Sequence, residues 1–310
     1  MKTVAIILNY NDADTTIEQL ERIINYKNLD KIVIVDNAST DDSRIRLKYY
    51  VKKNKEKFIL IQSTKNNGYG EGNNIGLVYS YRKLKARFAL IANPDTEFSD
   101  ELVAKLVNKL EKYPNLAIIG AKMVNPNYPI NHPVNLAGTK ESSLKAPLAF
   151  PVRDWIHDMA ESEPISRRIF RKFLHYPKEY FEGKTMARVD AVPGSLFLCD
   201  ISKLLFVGGF DKDIFLYEEE VTIANKLKKA GYKEALYLND YYIHRHSTTI
   251  SKSYSSVLKR QRLREKSTLK YYEKYLGIGK IKLFISKIVF KIIEIEVIIN
   301  LIVRYFRSGR

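Results

Sequence analysis

The chain has 310 residues, 45% of them hydrophobic and 12% aromatic, enough for a real core and a folded enzyme of one large domain, or of one domain of about 240 residues with an appendage. Its single cysteine, Cys199, excludes an internal disulfide and a multi-cysteine zinc site, and fits a reducing cytoplasm. The net charge of +17 calls for a polyanionic partner or surface, and it is unevenly placed: from Lys252 to Arg310 there are 15 Lys and Arg against 4 Asp and Glu, a balance of +11 that leaves +6 for the other 251 residues.

The N-terminus has one lysine and then a short apolar run, too short for a signal peptide, and reads as a buried first strand at 4–8. Helical spacing follows at 15–26, a strand at 31–35, a helix at 40–53, a strand at 58–62, a strand at 88–92, a helix at 100–113 and a strand at 116–120. This alternation predicts an α/β fold with a parallel sheet and helices on both faces, in which ligands gather at the carboxyl ends of the strands. From about 121 to 188, prolines recur at 126, 129, 133, 147, 151, 164 and 177 and periodicity is poor. That stretch reads as an irregular connection with one or two short helices, near 163–173, and is either an acceptor-side lid or loop or a surface insertion with no role. Order returns in an apolar run at 188–199 broken by Pro193-Gly194-Ser195, in a helix at 221–230 ended by Gly231, and in a short strand at 235–238.

The segments after the strands carry the candidate chemistry. Asn9-Tyr10-Asn11 follows the first strand and Asp36-Asn37-Ala38-Ser39-Thr40-Asp41 the second. Asp36, before the helix cap, is placed to accept hydrogen bonds from a base or ribose, whereas Asp41 reads as structural and Ser39 or Thr40 as the cap. The stretch from Asn66 to Gly76 follows the third strand, and its glycines permit close backbone approach to a phosphate or base. It is not the dinucleotide fingerprint: counted from Gly68 the sixth position is Asn73, and from Gly70 it is Ile75. Asn93-Pro94-Asp95 suits a hard divalent cation that bridges phosphates, although Ser99 could also make this the lead-in to a helix. Glu218-Glu219-Glu220 gives more carboxylates than a helix N-terminus needs, and one of them fits a general base. His244-Arg245-His246 offers metal and phosphate partners, with both imidazoles on one side of an extended segment.

In order along the chain, Asn9 to Asn11, Val35 to Asp41, Asn66 to Gly76, Asn93 to Asp95, Gly208 to Asp211, Glu219-Glu220 and His244 resemble the motifs of glycosyltransferase family two, nearest its bacterial rhamnosyltransferase-like branch. The resemblance covers about residues 2–250. It implies a GT-A fold, a Rossmann-like, mostly parallel sheet with flanking helices. It also implies a nucleotide-sugar donor held by Asn9, Asn11, Asp36, Asn67, Gly68, Gly72, Asn73, Asn93, Asp95 and Gly194. Asp95 and His244 would hold Mn2+ or Mg2+, and Glu220, or its neighbour Glu219, would be the catalytic base of an inverting transfer. The chain departs from the family pattern at Asn93, where the first acid of the metal motif is expected, and at Glu219-Glu220-Val221-Thr222, where the family has Glu-Asp-x-Asp.

Residues 251–310 fall outside the resemblance and read as a basic, amphipathic helical tail. Four charges within 283–303 argue against a membrane span and for a helix on an anionic membrane surface through residues 280–310; the alternative is a helix packed on the body or in a homodimer interface. Together these readings predict an inverting transferase, peripheral on the inner face of the cell membrane. Its acceptor would be a glycan or a polyprenyl-diphosphate-linked saccharide of bacterial surface polysaccharide synthesis. A nucleotidyltransferase on a similar sheet would show a basic phosphate loop near the N-terminus, which Asn9-Tyr10-Asn11-Asp12 is not. A nucleic-acid-binding module would need its charge on a face with interleaved aromatics, not in an apolar tail, so no nucleic-acid partner is expected.

Overall fold

The computed structural model describes residues 2–124, 126, 176, 178–245 and 256–307. His246, the helix expected near 163–173 and most of the 121–188 connection lie outside them. The ends of that connection are regular, since 121–124 finish one strand and 186–188 begin another.

The strands are β1 (Thr3–Asn9), β2 (Lys31–Asp36), β3 (Phe58–Gln62), β4 (Phe88–Ala92), β5 (Thr96–Glu97), β6 (Leu116–Val124), β7 (Met186–Val189), β8 (Leu196–Asp200) and β9 (Lys233–His244). Among the described residues the helices are α1 (Ala13–Ile23), α2 (Ser43–Lys53), α3 (Tyr69–Arg82), α4 (Asp100–Lys112), α5 (Ile201–Phe206), α6 (Glu219–Lys229), α7 (Val257–Tyr275) and α8 (Lys280–Arg307). One sheet runs β3-β2-β1-β4-β8-β6-β9-β5, with β7 also on β9. Alternate residues of its strands feed two cores. Ala5, Ile7, Ile32 and Ile34 meet Leu20 of α1, Leu47 of α2 and Leu106 of α4; Val4, Ile6, Val33 and Val35 meet Leu77 of α3, Leu204 of α5 and Leu227 of α6. Each of these Val, Ile and Leu side chains contributes about 1.5–3 kcal/mol by leaving water.

The parallel expectation holds for β3-β2-β1-β4 and again for β6 with β9, and is interrupted between them by β8. β8 runs antiparallel to both β4 and β6, so β4 and β6 are parallel to each other with one position left between them. The β4-α4-β6 crossover skips that position, and β8, which follows β7 in the chain, fills it in the opposite direction. The strand expected at 235–238 is in fact the twelve-residue β9, which pairs with β5, β6 and β7.

The glycine-rich stretch is a second departure: it forms the first half of a helix rather than a loop. Glycine costs a helix roughly 1 kcal/mol per residue, so packing must decide here. A Cβ on Gly72 would lie 2.4 Å from Leu8 Cδ1 and one on Gly76 would lie 2.6 Å from Ile6 Cγ2. Spaced by four, these glycines let α3 lie directly on β1.

In the C-terminal part, α7 packs on the body. Tyr271 and Tyr272 are buried with Val221 and Ala224 of α6 and with Phe290 and Ile293 of α8. No helix among the described residues is long and apolar enough to cross a membrane.

Candidate active site

Parallel pairing sets the carboxyl ends of β1 and β2 side by side, with Asn9 in register with Asp36. Asp36 is 1% exposed, and its Oδ1 accepts from Asn9 Nδ2 at 3.0 Å and from Ser39 Oγ at 2.5 Å. Asn9 Oδ1 accepts from the Thr16 hydroxyl at 2.8 Å, which fixes the amide in this orientation. Asn11 and Thr40 are joined by hydrogen bonds, among them Thr40 N–H to Asn11 Oδ1 at 2.8 Å and Asn11 Nδ2 to Thr40 Oγ1 at 3.1 Å. Ser39 and Thr40 therefore tie two loops together instead of capping α2, whose N-cap residue, Asp42, makes no side-chain cap bond. Asp41 is structural, accepting the Ser43 N–H at 3.0 Å.

The third-strand loop is joined to this pair by Asn37, whose amide donates to Asn66 Oδ1 at 2.9 Å and to the Gly68 carbonyl at 3.1 Å. Sequence reasoning gave Asn37 no role; a buried amide after a strand end was its only signal. Gly68, at φ 99°, must be glycine, for a Cβ there would lie 2.1 Å from the Phe215 carbonyl oxygen. Asn73 is fully buried and donates to the Tyr69 carbonyl at 3.0 Å, while Asn67 is exposed. The close approach expected toward a phosphate is thus, at Gly68 and Gly72, an approach to the protein itself.

Asp95 and His244, 149 positions apart, meet because β5 pairs with the end of β9, Thr96 opposite His244. His244 Nε2 lies 3.3 Å from Asp95 Oδ1, both side chains nearly buried, and Arg245 N–H donates to the Asp95 carbonyl at 3.0 Å. Ligands about 2.1 Å from a Mg2+-sized cation, on adjacent octahedral positions, stand about 3.0 Å apart, so this pair fits two corners of such a site. Among the described residues no cluster of three or more His, Cys, Asp or Glu could hold a metal. Arg245 is not free for phosphate; it pairs with Glu97 and with Glu18. Ser99 does cap α4, accepting the Leu102 N–H at 3.0 Å, so the Asn93–Asp95 turn is also the lead-in to a helix.

The acids at the head of α6 point three ways. Glu218 turns toward α7, accepting from the Thr268 hydroxyl at 2.9 Å. Glu219 is buried, its Oε1 has no hydrogen-bond partner, and burial, then the adjacent Glu220, raises its carboxyl well above the usual range. Glu220 is half-buried and its Oε1 accepts the Gly194 N–H at 3.1 Å. Gly194 can only be glycine for this contact, since a Cβ would sit 2.5 Å from that oxygen. Gly194 thus seats an acid, where the resemblance implied a contact to the nucleotide-sugar donor. A group missed from sequence closes the site underneath: Glu234, buried in β9, accepts the Val192 N–H at 3.0 Å and is pushed up to about 8 by burial. It shares a cavity of about 10 Å³ with Glu219, Glu220 and Tyr69.

Two consecutive residues connect the acid to the turn that carries Asp95. Gly194 bonds Glu220; the Ser195 carbonyl accepts the Asn93 N–H at 2.8 Å, and the Ser195 hydroxyl bonds Tyr242 at 2.7 Å. Tyr242 and His244 are two residues apart on β9, so one strand face serves both ends. A general base must be ionised to act. Burial raises the Glu219 carboxyl and so disfavours its ionised form, whereas Glu220 is half-buried and takes a backbone N–H.

Comparison with known proteins gives this arrangement a context. The family model described as Glycosyl transferase family 2 matches residues 4–160. The low-salt glycan biosynthesis hexosyltransferase Agl10 of Haloferax volcanii is 24% identical over 224 residues, 72% of this chain and 61% of that protein. The mannosyltransferase PcManGT from Pyrobaculum calidifontis, solved with GDP-Man and Mn2+, superposes with a TM-score of 0.57 at 17% identity, covering 90% of this chain and 65% of that one. GalNAc-T7 with UDP, GalNAc and Mn2+ also gives 0.57, at 16% identity over 79% of this chain and 44% of that one. The two structures share the GT-A-like fold, and the chain spans less than two thirds of each of these three proteins.

Proposed function

We propose that this chain, which belongs to glycosyl transferase family 2, moves one sugar from a nucleoside-diphosphate sugar to an acceptor hydroxyl with inversion at the anomeric carbon. The observation that carries the reading is the Gly194-Ser195 bridge, which sets Glu220 beside the turn that presents Asp95 to His244. Asp36 offers its second oxygen to the base or ribose. Asp95 and His244 would hold the cation, and Mn2+ or Mg2+ there would supply positive charge to offset that of the departing diphosphate. Glu220 takes the proton of the acceptor hydroxyl as that oxygen bonds to the anomeric carbon and the carbon–oxygen bond to the diphosphate breaks on the opposite face.

The donor we favour is a UDP-hexose, with dTDP-rhamnose second. The hexosyltransferase name of the Haloferax relative supports the first and the motif resemblance the second. A glycan or polyprenyl-diphosphate-linked saccharide of surface polysaccharide synthesis is the acceptor. A thermal-shift panel of dTDP-rhamnose, UDP-glucose, UDP-galactose, UDP-N-acetylglucosamine and GDP-mannose, each with and without Mn2+, tests this. One donor should raise the melting temperature, and only with the metal. No shift with any of them would defeat the reading.

We further place the enzyme on the inner face of the cell membrane. Along α8, Ile281, Phe284, Ile288, Ile292 and Ile295 are exposed, and so are Lys280, Lys282, Lys287 and Lys291. An apolar stripe flanked by lysines fits the boundary of an anionic bilayer. Phe284→Asp with Ile288→Asp should abolish co-sedimentation with phosphatidylglycerol vesicles. If binding persists, the surface is elsewhere; if instead a dimer becomes a monomer, the stripe is a homodimer interface.

A further inference from the structure

The segment from Asp211 to Glu220 leads into the acids, yet it holds a conformation its own sequence does not favour. Tyr217 and Glu218 are consecutive non-glycine residues in the left-handed region, at φ 68° and 70°. Such backbone persists only where surrounding structure over-determines it. The surrounding structure here is one face of α7, about fifty residues later. Ser267 Oγ donates to the Leu216 carbonyl at 2.6 Å and Thr268 Oγ1 to Glu218 Oε1 at 2.9 Å. Lys274 Nζ pairs with Asp211 Oδ2 at 2.8 Å and Asp213 Oδ2 at 3.1 Å, and the Tyr275 hydroxyl donates to Asp211. Lys270 donates to the Asp213 carbonyl, and the Arg264 guanidinium lies 5.1 Å from the Tyr217 ring centre.

Positions 264, 267, 268, 271, 274 and 275 recur at the three- and four-residue spacing of a single helix face. Thr268 is fully buried, so its bond to Glu218, itself 7% exposed, is shielded from water. Glu218 is the N-cap residue of α6, and its backbone angle sets the direction in which Glu219 and Glu220 leave it. A turn relaxed to ordinary φ would rotate Glu220 away from the Gly194 N–H.

We propose that this face of α7, which lies beyond the family-matched segment, is a positioning element of the transfer reaction, with Thr268 the residue on which the Tyr217–Glu218 turn most depends. The inference rests on the reading of Glu220 as base. Thr268→Val keeps shape and β-branching but deletes the hydroxyl, and Thr268→Ser keeps the donor. With the donor that the thermal-shift panel identifies, Thr268→Val should lose at least tenfold in kcat with KM for the donor within about twofold, and Thr268→Ser should stay near wild type. Amide exchange across 211–220 should accelerate in the valine variant alone. Unchanged kcat in Thr268→Val, or equal losses in both variants, would overturn the proposal. Should Thr268→Val not fold, Tyr275→Phe removes the bond to Asp211 and is held to the same kcat and exchange criteria. Failure of the underlying reading looks different: wild-type protein would turn over no donor. Exchange, measured without substrate, then decides alone. Acceleration keeps α7 as the anchor of this segment, and its absence removes that too.

Discussion

Glu220→Gln should lower kcat by about 10²-fold or more while donor binding stays intact. The substitution keeps the shape of the side chain, and the amide oxygen can still accept the Gly194 N–H that Glu220 takes at 3.1 Å, so the 191–195 segment and the cavity beneath it are undisturbed. What is lost is the capacity to take a proton. Glu219 is a poor substitute, because burial and the neighbouring carboxylate disfavour its ionised form. So is Glu218, since its carboxylate is engaged by Thr268. Steady-state turnover, with the metal-dependent thermal shift as a check on donor binding, gives the result. Turnover within a few-fold of wild type would move the base to another residue.

Asp95→Ala should abolish the Mn2+-dependent part of the donor's thermal shift and reduce kcat/KM by roughly 10²-fold or more. Asp95 is the carboxylate of the proposed cation pair. With Asn93 where the family pattern has an acid, its loss leaves His244 as the remaining assigned ligand. The fold should survive, because the turn is held by backbone: Thr96 N–H and its hydroxyl both donate to the Asn93 carbonyl, and Asn93 N–H to Ser195. A variant whose donor shift still depends on Mn2+ would remove Asp95 from the metal site.

Several pieces of the site were legible in the sequence because they depend on near neighbours. Asp36, Asn9 and Asn93 to Asp95 sit at strand ends that hydrophobic alternation locates, and parallel pairing gathers strand ends on one edge whatever the loops contain. Glu234 was not legible. It is one acid in a strand, and only the burial of β9 beneath Gly194 gives it a carboxyl that titrates near 8. Arg245 read as a phosphate partner until Glu97 and Glu18 came to lie beside it.

The sequence by itself determined the alternating α/β order, the two-faced core, the family motifs and the uneven charge, all of which are set by local periodicity and composition. Tertiary structure alone decided three things. Gly72 and Gly76 became contacts of a helix with β1, since packing outweighs glycine's poor helix propensity. His244 reached Asp95 because β8 fills the place between β4 and β6 and β9 extends the sheet beyond them. α7 gripped the acid-bearing turn through Thr268, Lys274 and Tyr275. Each joins residues far apart in the chain, and pairing across such distances follows from how sheets and helices stack, which no short window of sequence encodes.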